Sequence, residues 1–270
     1  MLWCWLKYRL LPLRWQNSYL AGPDAPLQRA CRAAARGRWE PAAQLFEDAG
    51  QDWERRSLYA QRLGDVVAQG SDRWLKEWRK ARPGDPTPLV AELWTARGLG
   101  YSHAETDALW SQITELAPYH FEAHTSALQY WTAKWRGSHQ LAREFAEKSA
   151  AGAPPGSLLA VLPVIAWYES HKDELGPVGY CPPDLRALVD AALTDAALAD
   201  PDHPRLPEVR HLLGYFLYRQ GRYRAAREQF RHVDGFTEAL PWRYSRLAPL
   251  HYRAVRTKTG RRALMERRWR

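Results

Sequence analysis

Apolar positions recur at i, i+3, i+4 and i+7 along most of the chain, the spacing that lines one face of a helix. The clearest run is Leu212 to Phe230 (LLGYFLYRQGRYRAAREQF). Gly214 and Ala226 supply the small residues that let two antiparallel helices approach. Gly221 and Tyr223 shape the turn between them, and Phe230 locks the second helix against the first. Sliding this frame back along the chain places the equivalents of Phe230 at Leu193, Ala146, Trp110, Trp78 and Phe46. A proline that cannot continue a helix follows at Pro86, Pro118, Pro154 and Pro201, so the pattern carries its own punctuation.

Small, turn, aromatic and proline positions in this order are those of the tetratricopeptide unit of about 34 residues. The expected fold class is therefore all-α, a tetratricopeptide-like right-handed helical solenoid of about six helix pairs with capping segments. Residues 1–22 form an N-terminal aromatic and basic arm or cap, 23–244 the repeats, and 245–270 a C-terminal capping helix and basic tail. The interval from Ala146 to Leu193 is too long for one helix pair. Its excess falls on 171–183, whose Gly and Pro content marks an inserted loop.

Pro118 to His124 (PYHFEAH), Leu128 to His139 (LQYWTAKWRGSH), Phe145-Ala146 and the earlier Ala96 to Gly100 (ARGLG) together resemble an uncharacterised family of actinobacterial tetratricopeptide-like proteins. The resemblance covers roughly 72–170 and implies helical repeats in a bacterial cytoplasmic protein. It transfers no catalytic residue. A more distant bacterial domain has a similar turn with Gly where this chain has Arg136.

In tetratricopeptide arrays the first helix of each pair lines the concave surface. The resemblance therefore implies a ligand-binding groove of His124, Trp131, Lys134 and Trp135 in the fourth pair and His211, Tyr215, Tyr218 and Arg219 in the sixth. Such an aromatic groove suits an amphipathic helix or an extended peptide. The function expected is a non-enzymatic protein–protein interaction scaffold, with no cofactor and no small-molecule substrate identified. The same aromatic side chains also suit packing between neighbouring helices.

Charge adds an alternative. The net +9 is uneven, because 39–204 is acidic while 205–270 carries 17 Lys and Arg against 5 acids. Any anionic partner, RNA or an acidic membrane surface, should meet that basic C-terminal quarter. The arm alternates Trp3, Trp5, Tyr8 and Trp15 with Lys7, Arg9 and Arg14. It can cap the first repeat, fill the groove or lie at a membrane interface.

Cys4, Cys31 and Cys181 are odd in number and far apart, which points to a reducing, cytoplasmic setting. No apolar run approaches the length of a membrane span. The chain has no GxSxG elbow, phosphate-binding loop or HExxH helix, so no catalytic residue is expected. His120, His124 and His139 are the nearest approach to a metal-ligand set, but no further ligand completes it, and no metal site is expected.

Overall fold

A computed structural model of the chain describes residues 25–50, 53–68, 73–172, 177–203, 205–233 and 239–268. The arm 1–22, residues 173–176 of the inserted loop and the last two residues lie outside the described set. Within it the fold is all-α. Thirteen α-helices follow one another: α1 (Ala25–Ala34), α2 (Glu40–Ala49), α3 (Trp53–Ala68), α4 (Arg73–Ala81), α5 (Thr87–Leu99), α6 (His103–Leu116), α7 (Phe121–Tyr130), α8 (His139–Ala151), α9 (Leu162–His171), α10 (Pro183–Leu198), α11 (Leu206–Arg219), α12 (Tyr223–Arg231) and α13 (Ala248–Arg268). Short 3-10 turns occupy Leu159–Val161, Pro177–Tyr180 and Trp242–Tyr244.

The chain divides into two compact units, Pro23–Lys172 and Asp173–Arg270. The division falls in the segment expected as an insertion.

In Pro23–Lys172 each odd-numbered helix packs on the next, α1 on α3, α3 on α5, α5 on α7 and α7 on α9. The even helices lie against these: α2 meets α1 and α3, α4 and α6 meet α5, and α8 meets α7 and α9. Small side chains make the first contact close, since Ala30 and Ala34 of α1 and Ala42 and Ala43 of α2 are all buried in one cluster. Large ones fill the space beyond. Trp78 of α4 lies 5.6 Å from Phe46 and 6.0 Å from Trp74, and stacks on Trp39 at 6.4 Å. Side-chain caps fix helix starts: Ser102 and Glu105 form a reciprocal capping box on α6, and Ser138 accepts from the Leu141 amide at the start of α8.

In Asp173–Arg270, α11 packs on α10 and α12, and α13 covers α12 and part of α11. Gly214 marks the tightest approach, where an added Cβ would come within 2.7 Å of the Phe230 ring. Phe230 in turn packs against Trp242 and Tyr252 at 6.4 and 6.0 Å, so little room exists for it to retreat.

Candidate functional site

Helix α7 ends at Tyr130, and the chain then turns through 131–137 before α8 begins. Trp131, Lys134 and Trp135, expected on one helix face, are therefore displayed by a turn. Thr132 closes the helix by donating from its hydroxyl to the Gln129 carbonyl at 2.7 Å. The Trp135 amide donates to Thr132 O at 3.0 Å, and the Arg136 amide reaches back to Tyr130 O at 3.2 Å. This winding brings the backbone at Gly137 so near Trp131 that a Cβ there would lie 1.8 Å from the Trp131 carbonyl oxygen. Only glycine fits.

The turn is anchored to the segment between α5 and α6. Tyr130 donates its hydroxyl to Tyr101 O at 2.8 Å, and His103 Nε2 donates to Arg136 O at the same distance. The His103 ring lies 4.9 Å from Trp131. Gly100, at φ +74°, leaves the space in which the Arg136 guanidinium rests, 2.6 Å from where a Cβ would stand. The ARGLG and AKWRGS stretches thus meet in space. From this platform Trp135 projects with 44% of its surface exposed.

Beside the turn lies a buried carboxylate. The Glu169 side chain is 2% exposed, and Lys134 and Lys172 approach Oε2 at 3.1 and 3.5 Å. Gln129 donates to Oε1 at 3.1 Å. Lys134 is thereby fixed to α9, while its own side chain remains 36% exposed.

Three expected groove residues belong to the core instead. His124 is buried, donates from Nε2 to Pro118 O at 2.8 Å, and is flanked by Trp110 at 4.8 Å and Phe145 at 6.2 Å. Burial pushes its pKa below the ordinary histidine value. His211 is wholly buried, accepts the Trp242 indole N–H on Nδ1 at 3.1 Å, and is pushed down to about 3 by burial and by nearby Arg256. Tyr215 is buried with its ring edge toward Trp242 at 5.4 Å and Tyr180 at 5.8 Å. The reason is packing: each lies on a first helix where a neighbouring aromatic ring closes over it.

Tyr218 and Arg219 are half-buried. Tyr218 meets Tyr223 edge-on at 6.0 Å. Arg219 lies 4.0 Å over the Tyr180 ring and donates to the Tyr215 hydroxyl at 2.7 Å. Burial and the Tyr215 contact raise the Tyr180 pKa, and burial with Arg219 lowers that of His251. This cluster orders the second unit.

His120 accepts the Ala123 amide as the N-cap of α7, and among the described residues no group of three or more His, Cys, Asp or Glu side chains is placed to hold a metal ion. Sequence reasoning missed Tyr101, His103 and Glu169. The first two adjoin the ARGLG stretch and were within its reach; Glu169 acts on Gln129 and Lys134 from a distant helix with no local signature. Among the described residues no helix is long and apolar enough to cross a membrane. No family model, curated protein or solved structure matches the chain.

Proposed function

We propose that the chain is a tetratricopeptide-like helical scaffold, without enzymatic activity of its own, that binds a peptide or helix of a protein partner through the surface around Trp135. The packing of alternate helices on one another from α1 to α9 supports the repeat reading. So does the close approach of Gly214 to Phe230, the pair expected to lock the sixth unit. Within Asp173–Arg270 the last helix, α13, lies on α12 as a capping helix would.

The observation that carries the binding reading is Trp135 itself. A tryptophan 44% exposed on a turn that tolerates only glycine at 137 is a large apolar anchor already held in place. Binding through it costs little ordering entropy, which is the property of interface hot spots. Lys134 and Arg136 beside it supply a polar rim. The buried His124, His211 and Tyr215 belong to the support of the scaffold and not to the contact surface.

Affinity purification with the wild-type chain, Trp135→Ala and a control, Leu198→Ala, tests this reading. Leu198 is 62% exposed and remote in sequence, so its loss should leave capture intact. Partners retained by the control and lost by Trp135→Ala support the scaffold; a Trp135→Ala chain that retains every partner overturns it.

A further inference from the structure

We propose that the outer face of α13 docks on the surface of an anionic lipid bilayer. Helix α13 carries apolar side chains on two sides. Ala248, Tyr252, Val255, Thr259 and Ala263 form the buried stripe that packs inward. On the opposite side, steps of seven, four and three residues lead from Leu250 through Thr257 and Arg261 to Leu264, so these share one face, with Arg253 and Lys258 at its margins.

That face holds large apolar side chains beside its cations. Leu250 is 50% exposed, Leu264 54% and Met265 60%, and Tyr244 and Leu247 just before the helix are 42% and 48% exposed. Half of the ten large hydrophobic side chains exposed among the described residues therefore fall between 244 and 265. The same stretch is free of acid. Between Glu238 and Glu266 the sequence has seven Lys and Arg and no Asp or Glu. Solvated protein surfaces normally intersperse both signs, and a stretch rich in cations with no acid in its sequence suits an anionic surface.

The mixture of side chains selects the anion. Phosphates of RNA would repay the arginines but give nothing to Leu250, Leu264 and Met265, and single-stranded RNA is held on open aromatic faces. The exposed aromatic of the stretch, Tyr244, has Arg243 over its ring at 5.4 Å. An anionic bilayer repays both kinds of residue. Its headgroups take the cations, and the boundary of the acyl region, within about 5–10 Å of the surface, takes the aliphatic side chains. From Leu250 to Leu264 the helix runs about 21 Å, enough to lie in the plane of the interface over several headgroups.

The test is flotation of the full chain with vesicles of phosphatidylcholine alone and of phosphatidylcholine with about one third phosphatidylglycerol. Partition into the anionic vesicles should exceed that into the neutral ones at least about tenfold. The triple variant Arg253→Gln, Lys258→Gln, Arg261→Gln should lose about a hundredfold, near fivefold per cation. The double variant Leu264→Gln, Met265→Gln keeps the charge and should still lose about tenfold or more. All five side chains are exposed, and unchanged circular dichroism and melting will show each variant folded. Equal partition into both vesicles overturns the proposal, as does a double variant that binds like the wild type. Polyuridylate that binds the chain and is lost with the cations alone assigns the face to RNA instead.

Discussion

The indole N–H of Trp242 donates to Nδ1 of His211 across 31 residues of chain, and both side chains are fully buried. The bond requires a lone pair on Nδ1, so it exists only while the imidazole is neutral. Tyr252 stands 5.2 Å from both rings, and Arg256 adds a like charge that opposes protonation. One neutral histidine thereby ties α11 to the turn that precedes α13.

Stability follows from the sign of that shift. The folded-state pKa is depressed from 6.5 to about 3, so as pH falls below 6.5 the unfolded chain takes up a proton that the folded chain refuses. The stabilisation is complete above about pH 6.5 and declines by on the order of 1.4 kcal/mol per pH unit down toward pH 3. His124 and His251 are depressed in the same direction and steepen the decline. Urea unfolding midpoints at about pH 7.5, 6.5 and 5.5 check this. His211→Gln keeps an acceptor for Trp242 without a proton to gain, and should flatten the pH dependence across that window.

Gly137→Ala forces a Cβ onto the Trp131 carbonyl, and backbone cannot yield as a flexible side chain can. The turn must open, breaking the Arg136 to Tyr130 and Gly137 to Thr132 bonds. A loss of about 2–4 kcal/mol is expected. Gly214→Ala meets the Phe230 ring, and its overpacking cost of about 1–3 kcal/mol is partly offset by the better helix propensity of alanine, about 1 kcal/mol. Gly137→Ala should therefore melt at the lower temperature of the two.

The contrast between these glycines shows what the sequence made legible. Gly214 and Phe230 were readable because their spacing within one helix pair encodes their contact. Gly137 belonged to a recognisable stretch, but Leu128, Trp131 and Trp135 fall at helical spacing, and pattern alone extends α7 to Trp135. The contact that stops it, backbone of 137 against the carbonyl of 131, carries no apolar signature. His124, His211 and Tyr215 failed as surface residues for a related reason: helix position tells which way a side chain points, not whether a ring from elsewhere, such as Phe145 or Trp242, will close over it.

Glu169 gives a ranked prediction. Its carboxylate is almost wholly buried between Lys134, Lys172 and Gln129, so Glu169→Ala takes that acceptor from two ammonium groups and an amide, Lys172 keeping its bond to the residue 169 carbonyl at 3.3 Å. A cost of about 3 kcal/mol is expected, at the lower end for a broken buried pair because both lysines retain some exposure. Lys134→Ala leaves Lys172 in place and removes a side chain that is 36% exposed, so about 1 kcal/mol should be lost. Chemical denaturation of both variants measures the order, and equal losses would show that Lys172 does not share the charge.

Trp135 and Tyr215 were expected on one groove; in the structure Trp135 is 44% exposed and Tyr215 is buried. Tyr215→Ala removes a buried ring from contacts with Trp242, Tyr180 and His251, together with the hydroxyl that receives Arg219. That combination costs about 3–5 kcal/mol. Trp135→Ala removes a ring with 44% of its surface in water from a turn whose shape is set by backbone bonds and Gly137, so about 1 kcal/mol or less should be lost. Melting curves of the two variants should separate by about 4–16 °C, since about 1 kcal/mol shifts a chain of this size by roughly 2–4 °C. Loss of partner capture by a Trp135→Ala chain with near wild-type melting then reports on a contact surface, whereas loss by Tyr215→Ala reports on unfolding, and only the first bears on function.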